Sequence, residues 1–378
     1  MILRINTYAP GLPTTKMKPR IAALIVVLLP LIALASTGKN NTNQTPLFTD
    51  TKPLELIVQM DMQKVLTDKS DEPEYNPAQL VLKFQDNTIQ IFNIKIKARG
   101  RTRRIANICD FPPLKLNFEK KSTENTVFEG QDKIKLVTHC NESEDYQNYA
   151  LIEYLAYKTY NVLSDYSYRV RLVNVTYRDT EQIYPDIKKF GFLIEDDDHM
   201  AKRIQGQVSD KLIWSADSCD EKVVDIFSFY QFMIGNTDWW IHTRHNVDII
   251  SLEDNRLIPI PFDFDGAGII NAPYAMPSPE LPILNVRDRF FKGNCKTSEI
   301  SDYDETISFF NNKKIEIILL YEQAFYLNTR YRKSALRYIN SFYEIINDEH
   351  KFGKFIEQSC KYFNTAPDHA PTEKRLIY

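Results

Sequence analysis

Apolar and polar residues alternate along much of residues 53–140, which is the pattern of β-strands with one buried face. In one such stretch Ile94, Ile96 and Ala98 alternate with basic residues, and Asp86–Asn87 upstream of it predicts a tight turn. The predicted strands are LELIVQM (54–60), the two halves of LVLKFQDNTIQIFNIKIKARG (80–100), LKLNF (114–118) and DKIKLV (132–137). Their polar positions carry many lysines, so the sequence predicts a sheet with one apolar and one basic face.

Helical spacing of apolar residues begins at residue 146. Residues 146–163 (YQNYALIEYLAYKTYNVL) have the period of an amphipathic helix, and so do residues 220–234 (EKVVDIFSFYQFMIG). Strands are predicted between these helices at 169–178 and 190–195, and three more helices between about 302 and 362. The order of elements is therefore strands, one helix, more strands and then mostly helices.

This order predicts an α+β protein of two lobes. A β-rich N-lobe would span residues 53–200, and a mainly helical C-lobe would span residues 201–378. Segregated elements of this kind leave a cleft between the lobes, where binding sites are commonly found.

A short apolar run near the N-terminus predicts an export signal. IAALIVVLLPLIALA (21–35) follows basic residues, ends in Ala-Leu-Ala and is shorter than the roughly 20 apolar residues of a membrane span. We therefore expect residues 1–35 to be a signal peptide, residues 36–52 to be a polar linker, and the exported protein to be periplasmic or extracellular without a stable membrane span. An uncleaved anchor is the alternative, and either Met1 or Met17 starts translation.

The composition excludes several classes of protein. The 378 residues are 26% charged and 43% hydrophobic with a formal charge of −3, which is typical of a globular protein and not of a disordered chain or a fibre. Loss of the leader removes basic residues and no acid, so the mature chain is more acidic and no nucleic-acid partner is expected. Only 11 glycines occur, without GxGxxG or GxxxxGK[ST], so a nucleotide would be bound through side chains.

The five cysteines predict a disulfide more readily than a zinc site. They are odd in number and include no CxxC pair, which disfavours a zinc knuckle. Disulfides are permitted in an exported chain, and the favoured pair is Cys109 with Cys140, because each borders a predicted strand in the same half.

Two segments place acidic and amide side chains beside predicted helices and strands. GNTDWWIHTRHN (235–246) follows a helix and precedes the strand-like VDIISL, and IPIPFDFDGAG (258–268) places two aspartates directly after an apolar strand. Hard oxygen ligands of this kind suit Mg²⁺ or Mn²⁺, which take one or two carboxylates together with substrate phosphates. Phosphoryl transfer uses such a set: one Asp for the proton of the attacking hydroxyl, an Asn and an Asp for metal, and a Lys for phosphate.

These two segments resemble the catalytic and metal-binding segments of the spore-coat CotH family of secreted kinase-like proteins. They resemble those of HipA-type and other atypical kinases more distantly, and also a group of uncharacterised exported bacterial proteins. Upstream, Arg99-Gly100-Arg101 before PPLKLNF, and FGFLIE at 190–195, are similar to further segments of the CotH family, so the resemblance covers about residues 90–270. It implies a two-lobed atypical protein-kinase-like fold.

The resemblance also implies an activity and its residues. ATP, with Mg²⁺ or Mn²⁺, would donate its γ-phosphate to a hydroxyl of a secreted or envelope protein. Asp238 resembles the catalytic-loop Asp, Asn246 the metal-holding Asn, and Asp263 the metal-binding Asp of the DFG position, with Asp265 as its alternative. The chain departs from the kinase pattern in one respect: Asp238 and Asn246 are eight residues apart, whereas HRDxxxxN has a spacing of five.

The phosphate-binding residues are assigned in the same way. Lys115 would take the place of the phosphate-binding lysine, and Glu153 on the following helix would be its ion-pair partner. A basic strand face would cover the phosphates in place of a Gly-rich loop. The members of that face are Lys95, Lys97, Arg99, Arg101 and Arg103.

Each of these residues also has a purely structural interpretation. Asp238 would cap a turn after the helix, and Lys115 would be solvated on the outer face of a strand, as would Lys133 and Lys135. Glu153 would be a surface residue of its helix. Asp263 and Asp265 would be solvated loop acids, although an apolar strand directly before them favours a functional interpretation, because an idle carboxylate near the core is costly.

His242 and His245 form an HxxH pair, which raises the possibility of zinc. No third ligand stands at a suitable spacing, so we expect His245 to shape the loop beside Asn246 instead.

Three functions therefore remain open from the sequence. The first is an exported protein kinase with Asp238 as the base. The second is a catalytically inactive, pseudokinase-like module for surface assembly or binding, which the unusual spacing and the missing Gly-rich loop favour. The third is a metal-dependent phosphohydrolase, which would need a further metal-binding motif.

Overall fold

The computed structural model describes residues 46–100, 102–105, 107–211, 214–293 and 300–365. The predicted signal peptide, the first part of the predicted linker and Arg101 lie outside the described residues. The end of the predicted linker is part of the fold, because Leu47 and Phe48 are buried against the first sheet.

Seven strands form a closed barrel. They are β1 (Leu54–Met60), β2 (Asn76–Lys83), β3 (Ile89–Ala98), β4 (Leu114–Phe118), β5 (Lys133–Val137), β6 (Val170–Asp179) and β7 (Ile187–Ile194). Around the barrel the order is β1-β2-β3-β4-β5-β7-β6, with antiparallel neighbours throughout this series. The barrel closes where β6 pairs in parallel with β1, with Leu54 opposite Val173 and Met60 opposite Asp179.

The interior of the barrel is built by the alternation seen in the sequence. Ile94 and Ile96 of β3 and Leu116 of β4 point inward and are at most 4% exposed, whereas Lys95 between them faces outward. The Asp86–Asn87 turn joins β2 to β3, with Asn87 in the left-handed region at φ 66°. The predicted disulfide between Cys109 and Cys140 is confirmed and ties the β3–β4 connection to the segment after β5.

Seven α-helices occur in the described residues, of which the first two lie between strands of the barrel and the other five follow it in sequence. They are α1 (Met62–Thr67), α2 (Glu144–Leu163), α3 (Asp197–Arg203), α4 (Glu221–Ile234), α5 (Asp304–Glu322), α6 (Thr329–Ile346) and α7 (Glu349–Thr365). The long α2 packs against both β7 of the barrel and α5 of the helical part, and its apolar residues join one large core with those of α4 to α7. None of the helices in the described ranges is long and apolar enough to cross a membrane.

A second, three-stranded antiparallel sheet belongs to the C-terminal part. Its strands are β8 (Gly206–Val208), β9 (Val247–Leu252) and β10 (Leu257–Pro261), in the order β10-β9-β8. The predicted strand VDIISL is β9, and the apolar segment before the two aspartates is β10. This small sheet carries the loops on which the candidate site is built.

The predicted helices and strands are confirmed, but the two-lobed kinase-like fold is wrong. The N-terminal region is a closed seven-stranded mixed barrel, followed by a helical C-terminal part. The reason lies in the pairing of β1 with β6, more than 110 residues apart along the chain, which leaves no open edge in the sheet. Alternation along a strand indicates which face is buried, but it does not indicate whether the sheet closes.

Candidate functional site

The segment after α4 turns back on itself and brings Asp238 and Asn246 together. The helix ends at Gly235, which adopts the left-handed conformation at φ 66°. Trp240 and His245 then exchange two backbone hydrogen bonds, of 2.9 and 3.0 Å, and form a short hairpin. The hairpin returns the chain so that Asn246 Nδ2 donates to the backbone oxygen of Asp238 at 2.8 Å and to its Oδ2 at 3.1 Å. Asp238 and Asn246 are therefore in contact although they are eight positions apart in the sequence.

The carboxylate of Asp238 is also bound by a histidine. His245 Nε2 lies 2.7 Å from Asp238 Oδ1, while the carboxylate side chain remains 60% exposed. Burial opposes ionisation of Asp238, but the hydrogen bond and charge of His245 leave the pKa of Asp238 below its usual value. The same hydrogen bond raises the pKa of His245. Asp238 is therefore an ionised, accessible carboxylate held by two side chains.

Backbone hydrogen bonds hold the acidic segment after β10 against the Asp238 loop. The N–H of Phe262 donates to the carbonyl of Asn246 at 3.1 Å, and the N–H of Gly268 donates to the carbonyl of Gly235 at 3.0 Å. The N–H of Asp263, whose φ is 59°, donates to the buried hydroxyl of Tyr157 on α2 at 2.9 Å. The residues after β10 are thus fixed from both ends beside the Asp238 loop.

Arg103 lies at the centre of three carboxylates. Its guanidinium nitrogens are 3.1 Å from Asp265, 3.3 Å from Asp263 and 3.5 Å from Glu153, and its side chain is only 9% exposed. Burial opposes the charge, but the surrounding carboxylates raise the pKa of Arg103 well above its ordinary value. Burial, together with the neighbouring carboxylates, raises the pKa values of Glu153 and Asp265. One guanidinium cannot neutralise three ionised acids, so the remaining negative charge is relieved either by protonation of Glu153 and Asp265 or by a further cation.

Basic and aromatic side chains line a small cleft that reaches Asp263. Lys135 on β5 binds Asp197, and its Nζ lies 5.5 Å from the ring centroid of Tyr168 and 5.9 Å from that of Phe262. The cleft is lined by Arg99, Arg103, Lys135, Glu153, Tyr157, Tyr168 and Asp263, together with apolar residues. It therefore joins the basic face of the barrel to the acidic loop after β10.

The predicted phosphate-binding pair is not formed. Lys115 lies between Lys97 and Lys135 in the register of the sheet, and it is not among the residues that line the cleft. Burial and the charge of Lys135 lower the pKa of Lys115. Glu153 is not a surface residue, since it is 2% exposed, but its partner is Arg103 instead of Lys115.

Four of the predicted residues are brought together: Asp238, Asn246, Asp263 and Asp265. Arg99 lines the same cleft, and Arg101 lies outside the described residues. His242 contacts the carbonyl of Trp214 at 2.8 Å while His245 contacts Asp238, so the HxxH pair does not face a common point.

Sequence reasoning missed the roles of Arg103, Lys135 and Tyr157. Arg103 was expected on a strand face, but it lies in a short 3-10 turn (Thr102–Arg104) beyond the end of β3, and its side chain points into the acids. Lys135 has the same alternation as Lys115 in the sequence, and only its position in the folded sheet, paired with Ile194 of β7, brings it to the cleft. Tyr157 carried no signal, because its position in a helix with many buried tyrosines resembles ordinary packing.

The chain matches no protein-family model, and a comparison with curated proteins also gives no significant match. The geometry of the site therefore has to carry any functional argument.

Proposed function

We propose that this chain transfers the γ-phosphate of ATP to a hydroxyl of another protein, with Asp238 as the proton-accepting residue. The observation that carries the proposal is that two loops lie side by side: Asn246 binds Asp238, and the N–H of Phe262, next to Asp263 at the edge of the cleft, donates to the carbonyl of Asn246. These are the side chains that phosphoryl transfer needs for the proton and for a metal ion. The resemblance of the two segments to the CotH family supports the same activity.

The oxygen donors of the site fit Mg²⁺ or Mn²⁺. Asn246 uses its Nδ2 for Asp238, so its Oδ1 remains the group that would bind a cation. The side chain of Asp263 is 42% exposed and follows Phe262, whose N–H donates to the carbonyl of Asn246. Within the described residues no three acidic, histidine or cysteine side chains are grouped to hold a metal. A cation bound by Asn246, Asp263 and phosphate oxygens needs no such group, since Mg²⁺ commonly retains substrate and water ligands. When bound, it would neutralise charge on the phosphates.

In the proposed step the acceptor hydroxyl oxygen forms a bond to the γ-phosphorus. The bond from that phosphorus to the bridging oxygen breaks, and ADP leaves with the electron pair. The hydroxyl proton passes to the Asp238 carboxylate, which His245 and Asn246 orient. Lys135 and Arg99 would contact phosphate oxygens from the barrel side, in the role first assigned to Lys115.

The acceptor would be a secreted or envelope protein. The predicted leader indicates export, and the disulfide between Cys109 and Cys140 is typical of a protein that folds in an oxidising compartment.

A second candidate is a binding module without catalysis, and Arg103 favours it. The guanidinium already engages Asp263 and Asp265 and would compete with a metal ion for them. A nucleotide or acceptor would then be bound without transfer of phosphate.

The decisive experiment combines binding and transfer. The chain without residues 1–35 is incubated with Mn²⁺ and γ-labelled ATP, with itself and dephosphorylated casein as acceptors, next to Asp238→Ala and Asp263→Ala. Asp254→Ala, an exposed acid in the turn after β9 that pairs with Arg256, serves as the matched control. The proposal expects transfer in the wild type and control and loss of about 100-fold or more in both site variants. Binding without transfer would support the second candidate, and transfer unchanged in the site variants would overturn the proposal.

A further inference from the structure

A buried lysine lies behind the Asp238 loop. Lys292, in the chain between β10 and α5, is 8% exposed. Its Nζ is 3.7 Å from the ring centroid of Trp240 and 4.5 Å from that of Trp239, so two aromatic rings face the ammonium group. A buried lysine is expensive unless its charge is compensated, so its contacts indicate what it does.

Lys292 contacts the backbone carbonyls of the residues before and after Asp238. Its Nζ donates to the carbonyl of Thr237 at 3.0 Å and also to the carbonyl of Trp239. From the helix side, Asn236 Oδ1 accepts from the N–H of Asp238 at 3.0 Å. The backbone on both sides of the carboxylate is therefore fixed, although the carboxylate itself lies on an exposed loop.

We propose that Lys292 is a positioning residue that orients Asp238 by holding the backbone carbonyls of its two neighbours, Thr237 and Trp239, and by placing a positive charge behind the carboxylate. This inference rests on the proposed function of Asp238. The cation has no direct contact with the carboxylate, so it orients the base without occupying the acceptor side. Trp239 and Trp240 shield the ammonium from water, which strengthens its hydrogen bonds to the carbonyls.

The charge of Lys292 is sensitive to pH near neutrality. Burial lowers the pKa of Lys292 to about 7, although the carboxylates of Asp238 and Glu280 oppose that shift. Other titratable groups also lie near this loop: His245 binds Asp238, His242 is part of the loop, and the carboxylates of Asp263 and Asp265 interact with His245 and Asp238, respectively. As Lys292 loses its proton above about pH 7, its hydrogen bonds weaken, and the rate of transfer should decline while nucleotide affinity is retained.

The test compares Lys292→Met with Lys292→Arg. Lys211→Met is the matched control, because Lys211 also lies over a tryptophan ring, 4.4 Å from the centroid of Trp214, but it is exposed. For Lys292→Met we expect kcat to fall about 10- to 100-fold with little change in the KM for ATP. Lys292→Arg should recover part of kcat and lose the decline above pH 7, whereas the control should match the wild type.

A second measurement separates this inference from the proposed function. Hydrogen exchange of the amides in residues 236–246 should be faster in Lys292→Met than in the wild type, and unchanged in Lys211→Met. If the wild type transfers no phosphate, the proposed function fails, and the exchange result alone decides whether Lys292 positions the loop. Unchanged exchange, or a wild-type kcat and pH profile in Lys292→Met, would overturn the inference. If Lys292→Met does not fold, the wild type is compared with Lys292→Arg instead. A decline of the rate above about pH 7 that is lost in Lys292→Arg supports the inference, and identical pH profiles overturn it.

Discussion

The hydroxyl of Tyr157 accepts a hydrogen bond of 2.9 Å from the backbone N–H of Asp263, a residue 106 positions further along the chain. The tyrosine lies in the buried helix α2, and Asp263 lies at the start of the acidic loop with a positive φ of 59°. A buried helix thus fixes a loop conformation that the backbone does not favour by itself. The position of the proposed metal ligand depends on this contact.

Removing that hydroxyl should loosen the loop. We expect Tyr157→Phe to cost about 1–3 kcal/mol of unfolding free energy, because the N–H of Asp263 loses its partner, and to weaken Mn²⁺ binding. Tyr177→Phe is the control, since the buried hydroxyl of Tyr177 has no hydrogen-bond partner among the described residues and its loss should cost nothing. Urea denaturation and Mn²⁺ titration measure both effects. Equal effects of the two substitutions would contradict the assignment.

Arg103 should stabilise the fold because it compensates buried acids. Arg103→Met leaves Glu153 without a cation and should cost about 3–5 kcal/mol at a pH high enough to ionise this carboxyl, whereas Arg178→Met, which breaks an exposed pair with Asp186, should change stability little. Because burial raises the pKa of Glu153, the cost should grow with rising pH and shrink in acid. The double variant Arg103→Met/Glu153→Gln should be more stable than Arg103→Met alone, because the buried acid is then neutral. Urea denaturation measures the stability of the three variants. A double variant no more stable than Arg103→Met would contradict this account.

Gly235 should tolerate no side chain. A Cβ at this position would lie 2.0 Å from the hydroxyl of Tyr338, and the residue has φ 66°. Gly235→Ala therefore combines a clash with about 1–2 kcal/mol of left-handed strain. In Gly235→Ala/Tyr338→Phe the contact with the hydroxyl is removed, while the ring carbon Cζ still lies 3.0 Å from the Cβ and the hydrogen bond to the carbonyl of Arg287 is lost. Thermal denaturation should therefore show partial recovery relative to Gly235→Ala. No recovery in the double variant would mean that the clash is not the cause.

His139 should make stability depend on pH. It is fully buried against Phe111 and near Tyr177, and its ring nitrogens have no hydrogen-bond partner among the described residues. Burial, with a contribution from Lys189, lowers the pKa of His139 to about 3. The unfolded chain binds a proton below about pH 6.5 and the folded chain does not. The contribution of His139 to the unfolding free energy is therefore complete above about pH 6.5. It is lost as the pH falls toward about 3, by up to about 1.4 kcal/mol per pH unit.

His139→Phe should remove this part of the acid sensitivity. His350, on α7, is exposed, so His350→Gln is the control and should have the same dependence of stability on pH as the wild type. Denaturation between pH 3 and pH 7 measures the slopes, and a wild-type slope in His139→Phe would refute the prediction.

The sequence predicts local structure well where burial has a clear period. Helix α2 was expected at 146–163 and is found at Glu144–Leu163, and β1 and β4 have the predicted bounds. The closure of the barrel was not predictable, because it depends on the parallel pairing of β1 with β6, for which neither strand carries a signal of its own.

The candidate site was predictable only for residues close together in the sequence. Asp238, Asn246 and Asp263 stand in two short segments, each next to a predicted helix or strand, and this placement indicated a common site. The structure brings the two segments together. Arg103 and Lys292 reach the site from distant loops, so their positions follow from tertiary packing and from no local pattern.

The most direct test of the central claim is the position of a bound cation. Crystals of the chain are soaked with Mn²⁺ and a non-hydrolysable ATP analogue, and anomalous diffraction locates the manganese. The account predicts a peak within about 2–2.5 Å of Asn246 Oδ1 and an Asp263 carboxylate oxygen, with the phosphates directed toward Lys135 and the γ-phosphate beside Asp238. Manganese or nucleotide bound away from this cleft, with Arg103 still holding all three acids, would contradict it.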